Sequence, residues 1–216
     1  MADSAKLKLS NKYLAVSLGF NCIPRWLLTR NNLKYSKAEG ELSMPFDLAG
    51  HLAPEVTKFL KNKFKDYFDN FIYDKDRKIW IQGENRIQLL HDLDIEENNR
   101  DFLVSRYSAR IKNFWKVMKS NKPILFLQSL QLEEDVDNLY DILKKIRKNK
   151  PFELVIFDLE NLVNTKNKNI NVLKIPFPEK DYVWYEEKYF NSPQGIEFEK
   201  KMVDYCKKII IEKLLS

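Results

Sequence analysis

Cysteine, histidine and long apolar runs are scarce in this sequence. It contains two cysteines, Cys22 and Cys206, and two histidines, His51 and His91, among 216 residues. Two cysteines so far apart form neither a disulfide framework nor a metal-binding motif, so we expect reduced thiols and no metal. No apolar run approaches the roughly 20 residues that cross a bilayer, which predicts a protein without a membrane span. Any Cys–His enzyme built from this chain has just two imidazoles to use as its base.

The N-terminal segment lacks the apolar core of a signal peptide. Its first residues, MADSAKLKLSNK, are polar, and we therefore expect a cytoplasmic protein. The sequence also has no glycine-rich phosphate loop of either standard spacing and no Gly-x-Ser-x-Gly elbow. Neither a standard nucleotide phosphate loop nor a serine-hydrolase elbow is therefore predicted.

The composition is that of a globular protein. Hydrophobic residues make up 44% of the chain and charged residues 31%, a balance that excludes wholesale disorder. The length suits one hydrophobic core, so we expect residues 1–216 to form a single domain. The net charge of +6 comes largely from lysines spread along the chain. Without a nucleic-acid motif, this spread favours a solvated lysine-rich face and disfavours nucleic acid as a partner.

Apolar strands alternate with amphipathic helices along most of the chain. Strands are predicted at Tyr13–Leu18, Arg86–Leu90, Ile124–Leu127, Pro151–Asp158 and Val172–Ile175, with a hairpin or an extended excursion over Ile72–Ile81. Helices are predicted from Ile23 onward and over Ala53–Phe71, Arg100–Ser120, Glu133–Lys148 and Ile196–Leu215. Strand–helix–strand crossovers of this length imply parallel pairing with right-handed connections. The pattern predicts an α/β fold, namely a three-layer Rossmann-like sandwich with a mainly parallel central sheet.

Cys22 lies between the first strand and the first helix. The strand ends at Gly19, and Pro24 suits the first helical turn because its missing N–H has no partner to lose. Unpaired backbone N–H groups at that point favour a thiolate and can receive a developing oxyanion, so Asn21 is a candidate substrate-binding residue. The alternative is a small buried thiol beside a tight turn, which these residues alone leave equally open.

Other polar residues also follow predicted strands and turns. His91 and Asp92 come at the end of a short strand, a position suited to a general base. Asp47 follows Pro45 in an irregular segment, where it could be catalytic or could cap the next helix. Arg106 and Arg110 share a helix face and could bind an anion, or could form a solvated or ion-paired face. The aromatic segment Phe177–Gly195 could line a cleft, although packing against the last helix is the commoner explanation.

Four short motifs occur in one order over roughly the first 130 residues: VSLGFNC, PFD, HD and RYSARIKNF. In this order the sequence resembles a bacterial family of unknown function whose members are described as papain-like cysteine peptidases. The resemblance implies Cys22 as nucleophile, His91 as base and either Asp47 or Asp92 as the residue that orients the imidazole. It makes Arg106 and Arg110 substrate or structural contacts.

The strand–Gly-x-Asn-Cys–helix start also resembles that of capsule-polysaccharide proteins that bind coenzyme A and are suspected acyltransferases. Our leading hypothesis is therefore an acyl-transfer enzyme in which Cys22 forms a thioester. No cofactor is required, although coenzyme A or another acyl donor is possible. The substrate would be a small molecule, a glycan or a peptide, and the arginine pair favours an anionic one.

The alternative is a binding module in surface-polysaccharide biosynthesis, with Cys22 structural. The separation of Cys22 and His91 discriminates between the two, since a catalytic pair should lie within roughly 3 to 4 Å.

Overall fold

The computed structural model describes residues 12–35, 39–47, 49–83, 87–130 and 135–216. Within these ranges the elements are, in chain order, β1 (Leu14–Ser17), α1 (Ile23–Arg30), α2 (Ala53–Asn62), β2 (Phe71–Asp74), β3 (Ile79–Gln82), β4 (Ile87–Leu89), α3 (Arg100–Lys119), β5 (Ile124–Leu130), α4 (Val136–Arg147), β6 (Phe152–Asp158), β7 (Ile170–Lys174), α5 (Glu187–Phe190) and α6 (Pro193–Ile209). A 3₁₀ turn over Glu97–Asn99 precedes α3, and a wider helical turn over Ile210–Leu214 follows α6.

A four-stranded parallel sheet forms the centre of the molecule, in the order β1-β5-β6-β7. Its strands are buried on both faces, because alternate side chains point to opposite layers of helices. Val16, Phe126 and Ile156 pack on the side of α2, α3 and α4. Ala15 and Leu127 pack on the opposite side, against α1 and α6. The predicted three-layer α/β sandwich with a parallel central sheet is confirmed.

A second, smaller sheet is antiparallel, with the order β2-β3-β4. The predicted hairpin over Ile72–Ile81 is confirmed as β2 and β3. The strand that precedes His91 belongs to this sheet and not to the central one. An isolated antiparallel bridge joins Gly50 to Gln88 in β4, where the Gly50 N–H donates to the Gln88 carbonyl at 3.0 Å.

Two predicted boundaries were wrong. The helix predicted over Ala53–Phe71 ends at Asn62, because Lys63 and Phe64 adopt left-handed backbone angles with φ of 59° and 60°. The apolar spacing beyond that point persists because Phe64 and Tyr67 still enter the core, but from turns. The strand predicted over Ile124–Leu127 continues to Leu130 as β5, so Ser129 lies inside it.

None of the helices in the described ranges combines the length and the apolar character needed to cross a bilayer.

Candidate active site

Backbone hydrogen bonds connect the segment before Cys22 to the central sheet. After β1, the Phe20 N–H donates to the Ser129 carbonyl at 3.2 Å, and the Ser129 N–H donates to the Gly19 carbonyl at 2.9 Å. Gly19 has φ of +99°, and a Cβ there would lie 2.7 Å from the His51 carbonyl oxygen. Only glycine fits such a close approach. Cys22 then begins α1 as its N-cap residue, as predicted.

Cys22 and His91 form a direct contact. The Cys22 Sγ lies 2.9 Å from His91 Nε2, although 69 positions separate the two residues in sequence. Cys22 comes from the start of α1, beside the central sheet, and His91 from the end of β4 in the antiparallel sheet. The pair therefore spans the two sheets, and its separation is within the hydrogen-bond reach that a thiol nucleophile and its base would need.

Burial holds this pair in its uncharged form. Cys22 is 3% exposed, and burial raises the pKa of its thiol to about 12. Burial lowers the pKa of His91, with Arg110 acting in the same direction and Asp92 opposing it. Near neutral pH the thiol therefore keeps its proton and the imidazole is free to accept it. The helix N-terminus was expected to lower the thiol pKa, but the loss of water around Sγ has the larger effect.

Asn21 presents a fixed amide next to Cys22. Its Oδ1 accepts hydrogen bonds from the Ile23 N–H at 3.0 Å and from Ser129 Oγ at 2.8 Å. Its Nδ2 is buried and has no partner among the residues that the structure describes. A buried donor without an acceptor is costly to keep. The Asn21 amide is therefore available to bind an oxygen atom that enters the site.

Asp92 is the centre of a buried ionic cluster. Its side chain is 0% exposed, and its oxygens accept hydrogen bonds from Arg106, from both terminal nitrogens of Arg110 and from the Tyr107 hydroxyl, at 2.7 to 3.0 Å. Burial opposes ionisation of Asp92, but the hydrogen bonds from Arg110, Tyr107 and Arg106 outweigh it and hold the pKa of this carboxyl below its usual range. Asp92 directly follows His91, so these bonds to Arg106, Tyr107 and Arg110 anchor the chain next to His91 to α3.

Arg106 and Arg110, for which the sequence left open an anion-binding role or an ion-paired face, are paired with carboxylates of the chain itself. Arg110 binds Asp92, and Arg106 binds both Asp92 and the more exposed Asp94. The guanidinium of Arg110 also lies over the Tyr107 ring. The four-residue spacing predicted that the two arginines share a helix face, and in this structure that face is ion-paired, which was one of the two alternatives.

Asp47 lies in a different part of the fold. Its carboxylate accepts a hydrogen bond from the Met44 N–H at 2.8 Å and lies 3.7 Å from Arg25 and from Lys34. It does not cap α2, which begins after Leu52 without a side-chain cap. Within the described ranges no hydrogen bond or ion pair joins the His91 imidazole to Asp47 or to Asp92. The structure therefore brings together a pair, Cys22 and His91, and not a triad.

His51 is fully buried behind the site. Its Nε2 lies 3.2 Å from the Tyr67 hydroxyl, and its ring packs on Phe46 and Tyr67. Burial lowers the pKa of His51 to about 3, against a smaller opposing effect of the Ala49 carbonyl. Of the two imidazoles that the sequence offers, only His91 reaches Cys22.

A pocket of about 560 Å³ opens in front of Cys22 and His91. Its apolar walls are Phe20, Trp26, Leu90, Trp184 and Tyr185. Trp184 packs edge-on against Trp26, with the ring centroids 5.7 Å apart. Asn21, Gln88 and Gly50 complete the lining.

Sequence reasoning missed Trp26, Tyr107 and Gln88 as parts of this site. Trp26 was given no role beyond its place in the first predicted helix, and Tyr107 lies within the RYSARIKNF motif that drew attention to the arginines. Position within that motif was the signal that could have found Tyr107. Gln88 carried no such sequence signal, because its place at the pocket depends on the bridge between Gly50 and β4.

Within the described ranges, no group of three or more potential metal ligands occurs.

Comparison with known proteins identifies one family. The family described as "Putative papain-like cysteine peptidase (DUF1796)" matches residues 13–166. No curated protein and no solved structure matches the chain. The matched range contains Cys22, His91 and the Asp92 cluster, and it ends before Trp184. Because the match covers well over half of the sequence, this chain belongs to the papain-like cysteine peptidase family so described.

Proposed function

We propose that the chain is a thiol-dependent acyl-transfer enzyme, with Cys22 as nucleophile and His91 as general base. The observation that carries this proposal is the 2.9 Å contact between Sγ and Nε2, at the wall of an open pocket. A buried structural cysteine has no need of an imidazole partner facing a pocket. The family match supports the same chemistry at a coarser level.

The first half of the reaction follows from the protonation state of the pair. His91 Nε2 accepts the thiol proton as Sγ attacks the substrate carbonyl carbon, so the thiolate forms only when a substrate is present. The carbonyl oxygen becomes an oxyanion, which the Asn21 amide and the Cys22 N–H stabilise. Nε2 then returns the proton to the leaving group, which is an amine, an alcohol or, for a thioester donor, a thiol, and a thioester on Cys22 remains.

The second half transfers the acyl group. His91 removes a proton from the acceptor, the acceptor oxygen or nitrogen attacks the thioester carbonyl, and Sγ leaves and recovers its proton. Water as acceptor gives a hydrolase, the outcome closest to the family description. A sugar hydroxyl or an amine would give the transferase that the sequence also allowed, with coenzyme A or another thioester as donor.

Asp92 acts as a positioning residue in this proposal. It touches neither the thiol nor the imidazole ring, but it fixes the chain next to His91 through Arg106, Tyr107 and Arg110. Asp47 is left with a structural role, beside Arg25 and Lys34.

Covalent capture of an acyl group tests the proposal. Incubation with p-nitrophenyl esters should add one acyl mass to the chain, located at Cys22 by peptide mass spectrometry, with release of one equivalent of p-nitrophenol in a burst. Cys206→Ala is the matched control, because Cys206 is fully buried in the core and should not react. Cys22→Ser should remove the adduct. Acylation that is equal in Cys22→Ser, or that falls on lysines alone, would exclude the thiol mechanism.

A further inference from the structure

The pocket in front of Cys22 is both large and uncharged. Its volume of about 560 Å³ lies within the range of small-molecule sites, which is about 300 to 1,000 Å³. No described residue that lines it is an aspartate, glutamate, lysine or arginine. The arginines nearest to the site are bound to Asp92 and Asp94. An ionised substrate group would therefore enter without a partner, which is unfavourable.

The apolar walls come from two parts of the chain. Phe20, Trp26 and Leu90 belong to the range that matches the family, residues 13–166, whereas Trp184 and Tyr185 follow β7 and lie outside it. Trp184 is held against Trp26 by an edge-to-face contact, so this part of the wall is preformed. The side chain of Tyr185 is 59% exposed and lies at the rim.

We propose that this pocket selects an uncharged acyl group with an apolar, ring-sized body, and that Trp184 is the main specificity-determining residue. This inference rests on the proposed function in calling the bound group an acyl group. The selectivity itself depends only on the shape and charge of the walls around Cys22. Trp184 lies outside residues 13–166, so the C-terminal segment completes a wall that Phe20, Trp26 and Leu90 begin.

Alkylation of Cys22 tests this selectivity without requiring acyl transfer. Three chloroacetamides share one reactive group: chloroacetamide, its N-benzyl derivative and an N-(4-carboxybenzyl) derivative of nearly the same size. Their rate constants at Cys22, measured by mass spectrometry, are each divided by the rate constant with free cysteine. We expect a normalised preference for the benzyl probe of about 10-fold or more over both others, in line with the discrimination of apolar pockets.

Variants of the pocket wall test whether its side chains cause the preference for the benzyl probe. Trp184→Ala should reduce it to within about twofold of unity, and Trp184→Phe should keep most of it, since a ring remains. Trp115→Ala is the matched control, because Trp115 is also half-buried but packs on Phe64 and Phe114, away from the pocket. If Trp184→Ala does not fold, Leu90→Ala should reduce the preference instead, since Leu90 is an exposed part of the same wall.

The outcomes separate this inference from the proposed function. Equal rates for the benzyl and carboxybenzyl probes, or an undiminished preference in the folded wall variants, would overturn the proposed selectivity. A preference that depends on Trp184 supports the selectivity even if no ester ever acylates Cys22. In that case the acyl-transfer mechanism alone would fail.

Discussion

Replacing His91 with alanine should slow acylation of Cys22 by about 10²- to 10⁴-fold at pH 7, the usual contribution of a positioned general base. The reason is the uncharged state of the pair. With the pKa of the Cys22 thiol near 12, thiolate is very scarce at neutral pH, and without His91 no group removes the proton during attack. The measurement is the single-turnover rate with a p-nitrophenyl ester.

The pH dependence of the acylation rate tests this explanation of the slower reaction in His91→Ala. In the native chain the rate should be level near neutral pH and fall only in acid, because partial burial lowers the pKa of His91 from its usual value and protonation removes the base. In His91→Ala the rate should rise with pH towards the thiol pKa near 12. Added imidazole should restore part of the rate, since His91 is exposed enough for a small base to enter.

A neighbouring substitution serves as control. Leu93→Ala changes a side chain that is 62% exposed, two residues from His91, and should leave the rate unchanged. A native rate in His91→Ala, or an acidic limb that survives the substitution, would contradict the assigned role of His91.

Replacing Asp92 with asparagine should lower the free energy of unfolding by about 3 to 5 kcal/mol, the usual cost of breaking a buried ion pair from one side. Arg110 and Arg106 would keep their charges while losing their shared acceptor, and the side chain of Asp92 has no exposed surface through which water could substitute. Urea unfolding at pH 7, followed by circular dichroism, measures the change.

Asp94→Asn is the matched control for this substitution. Asp94 also binds Arg106, but its side chain is 61% exposed, so its loss should cost less than about 1 kcal/mol. Equal destabilisation by the two substitutions would contradict the view that the Asp92 cluster stabilises the fold because it is buried.

The contribution of Asp92 should also depend on pH. Its pKa is lower in the folded chain than the usual 3.8, so below that value the unfolded chain binds more protons. The stabilisation is therefore complete above about pH 4 and is lost as the pH falls through the folded pKa. The difference between the native chain and Asp92→Asn should shrink accordingly in acid.

Local sequence patterns predicted the elements of the central sheet but not all their limits. ILFLQSL in β5 is buried at every position, and such runs are typical of a parallel strand covered on both faces. The end of α2 at Asn62 was missed because Phe64 and Tyr67 kept a helical spacing while entering the core from turns. Tertiary packing of aromatics, and not local propensity, determined that boundary.

The residue types of the site were predictable, whereas their partners were not. The sequence indicated Cys22 from its place before α1 and His91 because only two imidazoles were available. Their 2.9 Å separation depends on how the antiparallel sheet docks against the central one, a contact between distant parts of the chain. Likewise, the spacing of Arg106 and Arg110 shows that they share a face, but it carries no information about which anion that face meets.

The segment around His51 lies at the junction between the two sheets. The Gly50 N–H binds the Gln88 carbonyl in β4, and the His51 carbonyl accepts from Gln128 in β5 at 3.3 Å. The strand pairs within the two sheets do not include this segment. A brief opening of the junction would separate His91 from Cys22 without breaking those strand pairs, so mild heat or denaturant should abolish acylation of Cys22 before the protein unfolds.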